Sequence, residues 1–192
     1  MTRTIIAVAS GICFSVLCSA ATLTIDTIPS SGDVSGYPGT VVGWGITLTD
    51  TGSDWVVLND SYFTGSQVNG TYVDYVASNF YVAGPSPESP TLMESWNSGT
   101  MSGLGEFDLN ATAPPGLLIS GDINVDYSLF SQDPNNPDFD PDSFVSSGTL
   151  SAAVQIQSLP EPASIGLVGL ALPLLFAVGM RKRTGFTTPL QP

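Results

Sequence analysis

The chain has 192 residues, with 17 acidic and 4 basic side chains, no histidine and a net charge of −13. That length suits one folded domain plus targeting segments, and the lack of histidine removes Ser-His, Cys-His and His-ligated zinc chemistry. Every cation lies at an end, at Arg3, Arg181, Lys182 or Arg183, so residues 22–159 hold all the acids but Glu161 and no Lys or Arg. Such a stretch cannot neutralise phosphates, which excludes nucleic acid as a partner.

The N-terminal 21 residues read as a signal peptide. Arg3 supplies a cationic start, residues 5–17 form an apolar run, and Ser19, Ala20 and Ala21 give a small-residue cleavage site. The run is too short to span a bilayer and lacks a stop-transfer flank. Both cysteines, Cys13 and Cys18, fall inside it. Leu17 before Cys18 is unlike the small residue that precedes an acylated cysteine, and cleavage leaves a mature chain without thiols.

Residues 22–158 show no long helical spacing but several stretches of period two. Apolar side chains alternate over 42–48, 122–129 and 150–157, which predicts half-buried strands. Shorter candidates lie at 23–28, 55–58, 71–76, 80–82 and 106–109, each bounded by Gly, Pro, Asn or Asp. About eight short strands in one acidic domain predict an all-β fold, a single antiparallel β-sandwich. The turn at Gly36, Tyr37, Pro38 and Gly39, the strand centred on Trp44, and the turn at Ala113, Pro114, Pro115 and Gly116 before a long alternating strand together resemble an immunoglobulin-like or CARDB-like module. The resemblance implies architecture and no activity.

Within this domain the chemistry for catalysis is thin. The mature region has no Cys, His or Lys before residue 182, and no P-loop or dinucleotide fingerprint. Paired carboxylates as in glycoside hydrolysis remain, but Glu88, Glu94, Glu106 and the aspartates share no spacing rule. The densest cluster is Asp133, Asn135, Asp138, Asp140 and Asp142, interleaved with three prolines. Closely spaced oxygens of this kind suit calcium, although the glycine and terminal Glu of an EF-hand loop are missing; a Pro/Asp-rich connection between two strands is the other reading. Tyr62, Phe63, Tyr72, Tyr75, Tyr81, Trp55 and Trp96 offer stacking surfaces for sugar rings or, alternatively, core packing.

The C-terminal segment, 159–183, starts with Leu159 and then Pro160, Glu161 and Pro162. Residues 163–180 carry no charge and would form a helix of about 27 Å, close to the roughly 30 Å of bilayer hydrocarbon. Arg181, Lys182 and Arg183 follow as a cytoplasmic stop, so the positive-inside bias and the signal peptide agree on one topology; a short tail, 184–192, ends the chain. These residues resemble the PEP-CTERM sorting domain of exopolysaccharide-producing Gram-negative bacteria. The resemblance implies that Pro160, Glu161 and Pro162 are recognised by an exosortase-type processing enzyme and that 163–180 is a transient inner-membrane anchor. Leu159 stands where Val is commoner, Pro173 would kink the span, and the tail is longer than usual.

The sequence therefore predicts an exported, non-catalytic protein of the cell surface or extracellular matrix, needing no cofactor unless the Asp-rich stretch takes calcium. The alternatives are a polysaccharide- or calcium-binding module and a permanently membrane-anchored periplasmic or surface protein.

Overall fold

The computed structural model describes residues 23–88 and 91–160. These residues are all-β, and their helical content is confined to two short 3-10 turns, Val76–Ser78 and Pro141–Ser143. The strands are β1 (Leu23–Ile28), β2 (Asp33–Gly36), β3 (Val41–Asp50), β4 (Trp55–Phe63), β5 (Gly70–Asp74), β6 (Val82–Ala83), β7 (Thr91–Glu94), β8 (Gly105–Leu109), β9 (Leu118–Phe130) and β10 (Phe144–Ser158). They form two five-stranded sheets. One runs β1-β3-β8-β5 with β7 also on β3; the other runs β2-β10-β9-β4-β6.

The period-two pattern does what it predicts. Val42, Trp44, Ile46 and Leu48 of β3 are buried, and they join Leu104 and Phe107 on the first sheet and Val56, Leu58, Ile123, Val125 and Ile156 on the second in one apolar cluster. Each such side chain contributes about 1.5–3 kcal/mol on burial. At the outward positions β3 has Gly43 and Gly45. A Cβ at Gly43 would lie 2.2 Å from Trp96 Nε1, and one at Gly45 2.5 Å from the Glu94 carbonyl oxygen, so the chain after β7 lies directly on the bare backbone of β3.

β7 and β8 are effectively one line beside β3, interrupted by a loop. β7 pairs Glu94 with Ile46, and β8 pairs Gly105 with Trp44. Most of residues 95–104 are thus looped out, folded back by a bridge between Asn97 and Ser102. Trp96 from this excursion covers Gly43.

Ten strands replace the eight expected. β2 has one apolar side chain among Asp33, Val34, Ser35 and Gly36, so it shows no alternation. β7 is Thr-Leu-Met-Glu, three of its four residues good helix formers, and only pairing with β3 makes it a strand. The strand at 55–58 continues to Phe63 because a bulge between Leu58 and Asp60 resets the alternation, leaving Asn59 and Asp60 exposed while Ser61 and Phe63 return inward. The purely antiparallel expectation also needs correction: β2 pairs parallel to β10, Asp33 opposite Gln155 through Gly36 opposite Ser158. The cause is a sheet change. β1 belongs to the first sheet, the chain turns at 29–32, and β2 emerges on the edge of the second.

Gly32 makes this turn. Its φ is +73°, and a Cβ there would sit 2.3 Å from the Ala153 carbonyl oxygen, so only glycine fits. The Gly32 carbonyl accepts from the backbone N–H of Gln155 at 3.2 Å and from Trp44 Nε1 at 2.8 Å. Replacing Trp44 with Phe removes that donor and leaves a void; we expect a loss of about 2–4 kcal/mol in urea unfolding. A change below about 0.5 kcal/mol would show that the indole N–H does not hold the crossing.

Candidate functional site

The Asp-rich stretch forms the connection from β9 to β10. Phe130 at the end of β9 meets Phe139 and Phe144 edge to face, with ring centroids 5.2 and 5.9 Å away, and these contacts seat the loop. Its oxygens face its own backbone. Asp133 Oδ1 accepts from Asn135 N at 2.8 Å, Asn136 Oδ1 from Asp138 N at 2.9 Å, and Asp140 Oδ1 from Asp142 N at 3.0 Å, the last capping the second 3-10 turn. Among the described residues no group of three or more Asp, Glu, His or Cys is gathered in a way that could hold a metal ion. Asp133, Asn135, Asp138, Asp140 and Asp142 are thus brought into one loop but not onto one point.

Of the seven aromatic candidates, Tyr62 is exposed on β4, while Phe63, Tyr75 and Tyr81 are buried and Trp55, Tyr72 and Trp96 half-buried. Tyr62 lies on the outer face of the second sheet, opposite Asn124 of β9, which in turn faces Ser151 of β10. The next row is Asp60, Asp126 and Thr149. Hydrogen bonds run along the face: Thr149 Oγ1 donates to Asp126, Ser151 Oγ to Asn124, and Asn59 Nδ2 to Ser128 Oγ at 3.0 Å. The result is a polar platform with one exposed ring. Asp60 and Asp126 are direct cross-strand partners of like charge, a destabilising pair. Lost hydration first, then the charges of Asp126 and Asp74, push the Asp60 carboxyl above its ordinary value.

Two polar arrangements had no signal in the sequence. Ser61, buried on the inner face of β4, crosses to the first sheet: its hydroxyl meets Tyr72 Oη at 2.8 Å and the Leu104 carbonyl at 3.0 Å, and donates to Asp74. Tyr72 Oη also donates to the Leu104 carbonyl at 3.2 Å. Asp74 in turn accepts from the backbone N–H of Val76 at 2.8 Å and of Ala77 at 3.1 Å. Burial pushes the Tyr72 hydroxyl well above its usual range, the Ser61 bond pulling the other way. On the outer face of the first sheet, Tyr75 is hydrogen-bonded to Glu106, and burial, that bond and the nearby Glu106 and Asp108 charges raise its hydroxyl well above the usual range. Trp96 Nε1 and Glu106 Oε2 are buried there without a hydrogen-bond partner.

A third feature is a depression of about 230 Å³ lined by Leu23, Asp50, Gly52, Ser53, Asp54, Tyr127 and Leu129. It falls short of the roughly 300–1,000 Å³ of a small-molecule site. Burial raises the Asp50 carboxyl, against the 2.7 Å bond from Gly52 N–H, with Asp54 adding to the rise. Pro160 is exposed just beyond β10. Glu161, Pro162, Arg181, Lys182 and Arg183, together with the signal peptide and the expected span, lie outside the described residues, among which no helix is long and apolar enough to cross a membrane.

A raised carboxyl penalises the folded, charged form. The penalty at Asp60 is full above its folded-state pKa and gone below the ordinary value of 3.8. Asp60→Asn should therefore raise the melting temperature at pH 7, by less in high salt, with the gain vanishing below about pH 4; an equal gain at pH 3 and pH 7 would refute the like-charge account. No protein-family model matches the chain, and no curated protein does.

Proposed function

We propose that the chain is an exported, non-catalytic protein of the cell surface or extracellular matrix, delivered through its Pro-Glu-Pro segment. The observation that carries this reading is the exit of the chain from its folded body. β10 ends at Ser158, Leu159 N donates to the Gly36 carbonyl at 2.8 Å, and Pro160 is already exposed. Recognition by a processing enzyme needs an accessible extended segment, and Pro at 160 and 162 favours one. The partition of charge supports the same topology, with a purely anionic domain on one side of the uncharged span and three cations on the other.

The domain itself we read as an immunoglobulin-like sandwich. The order β1-β3-β8-β5 parallels the A-B-E-D sheet of that fold, and β10-β9-β4 parallels G-F-C. Two departures mark this chain. β6 reaches the edge beside β4 only after β5, whereas an immunoglobulin domain visits that edge first, and the buried Trp44 lies on the second main strand with no disulfide beside it.

Sorting predicts that Glu161→Ala leaves export intact but keeps the domain on the membrane. Cell fractionation followed by immunoblotting for intact and clipped forms reads this out, and unchanged release in the variant would exclude processing at this element. A polysaccharide-binding role finds support in the exposed Tyr62 on its hydroxyl- and amide-rich platform. Base-free sugar rings stack on such a side chain, so Tyr62→Ala should abolish retention on the cognate exopolysaccharide in affinity electrophoresis; equal retention would assign the platform to no ligand of this class.

A further inference from the structure

We propose that the open edge of β10 is the site at which a second copy of this chain pairs, strand to strand and antiparallel, about Thr149. β10 is 15 residues long and is bonded along its length to β9, but on its other side β2 covers only Gln155 to Ser158. Residues 146–152 therefore have no described strand beside them on that side, while Gly32 already lies against the Ala153 carbonyl.

Sheet edges are normally blunted by shortness, charge, proline or a bulge. The remaining edges here follow that rule: β2 has four residues and Asp33, β5 five and Asp74, β6 two, and β1 carries Asp26 in its middle. β10 does not. Its one bulge lies before Ser146, and from there the strand is regular. The sequence from Ser143 to Pro160 contains no charged residue, although the domain is otherwise a polyanion without a cation.

The backbone is oriented for pairing. Gln155 directs its N–H to β2, where Gly32 O accepts it. Peptide groups alternate along a strand, so Ser151, Thr149 and Ser147 direct their N–H and C=O groups to the same, open side. A two-fold axis at Thr149 sets these residues opposite one another: Thr149 against Thr149 and Ser147 against Ser151 of the second copy. Each such pair exchanges two hydrogen bonds, about six in all, and threonine opposite threonine is a favourable cross-strand pair.

Charge favours a second copy over other occupants. A strand from an unrelated partner gains nothing particular from a neutral edge, but two copies of a polyanion can meet only where no carboxylates are forced together. The nearest acid on the outer face, Asp126, lies one strand back from Thr149. In the paired sheet the two Asp126 residues would be three strand spacings apart, about 14 Å, beyond the Debye length of about 8 Å at physiological ionic strength.

The test uses the full chain in detergent with Cys13 and Cys18 replaced by Ala. Under mild oxidation Thr149→Cys should give a disulfide-linked dimer, while Ser120→Cys, exposed on the neighbouring strand, should not. Ser147→Glu with Ser151→Glu, which sets carboxylates opposite one another across the axis, should reduce the Thr149→Cys dimer at least tenfold. Thr149→Pro removes an N–H that no described residue uses, and should give a monomer by sedimentation equilibrium with an unfolding midpoint close to that of the parent. Equal cross-linking at Ser120→Cys, a dimer that survives the Glu pair and Thr149→Pro, or a parent chain that is monomeric at every concentration would overturn the proposal. None of these results depends on whether Glu161 is a processing site.

Discussion

The carbonyl of Gly32 ties the two sheets together. It accepts from the buried indole N–H of Trp44 on β3 and from the backbone of Gln155 on β10, at the point where the chain leaves one sheet for the other. An unpaired indole N–H in a dry core costs about 1–3 kcal/mol, so Trp44 and the turn at 29–32 fix one another. The crossing then fixes β2 parallel to β10, and β2 in turn sets where Leu159 and Pro160 leave the domain. Trp44 is fully buried, and a side chain at Gly32 is forbidden by both φ and the Ala153 carbonyl. Neither residue has a substitute of similar shape.

A domain with sixteen acids and no cation must manage its charge without salt bridges, and here it uses backbone amides. Asp50 takes Gly52 N–H, Asp74 takes Val76 and Ala77, Asp133 takes Asn135, and Asp140 takes Asp142. Each bond satisfies a carboxylate and closes a turn, so a residue type that elsewhere decorates the surface here shapes the loops. The density of Asp and Asn in 133–142 is explained by the same rule, since a long connection rich in proline has few backbone partners of its own. Where no amide is available, as at Asp60 opposite Asp126, lost hydration and then the neighbouring charges push the carboxyl up.

This division between local and distant partners also decides what the sequence could reveal. β3, β9 and β10 contain and extend the stretches whose alternation predicts them, because a strand with one face on a core is legible from period two alone, and β1 falls on the shorter candidate at 23–28. β2 and β7 are not, since four residues with one or two apolar side chains carry too little pattern. The Asp-rich loop was visible as composition, but whether its oxygens converge depends on turn geometry, which composition does not encode. Ser61 is the extreme case. Its partners lie 11, 13 and 43 residues away, and the bulge at Leu58 and Asp60 that turns it inward makes it look like a solvent-facing serine. Glu106 and Trp96 are hidden likewise, since only the looped-out line of β7 and β8 lays the indole over Gly43.

The proposed edge pairing and the proposed anchoring together constrain how two copies could lie. In an antiparallel pair about Thr149 the two copies run their β10 strands outward, each with eleven residues between the axis and Pro160. At about 3.4 Å per residue that is about 37 Å on each side, so the two exits lie about 75 Å apart and point in opposite directions. Were both chains anchored as proposed, the two-fold axis of such a pair would have to stand along the bilayer normal, with β10 parallel to the membrane and each chain turning toward it at Pro160. Release as proposed would lift that constraint and leave the neutral edge free to pair in any orientation.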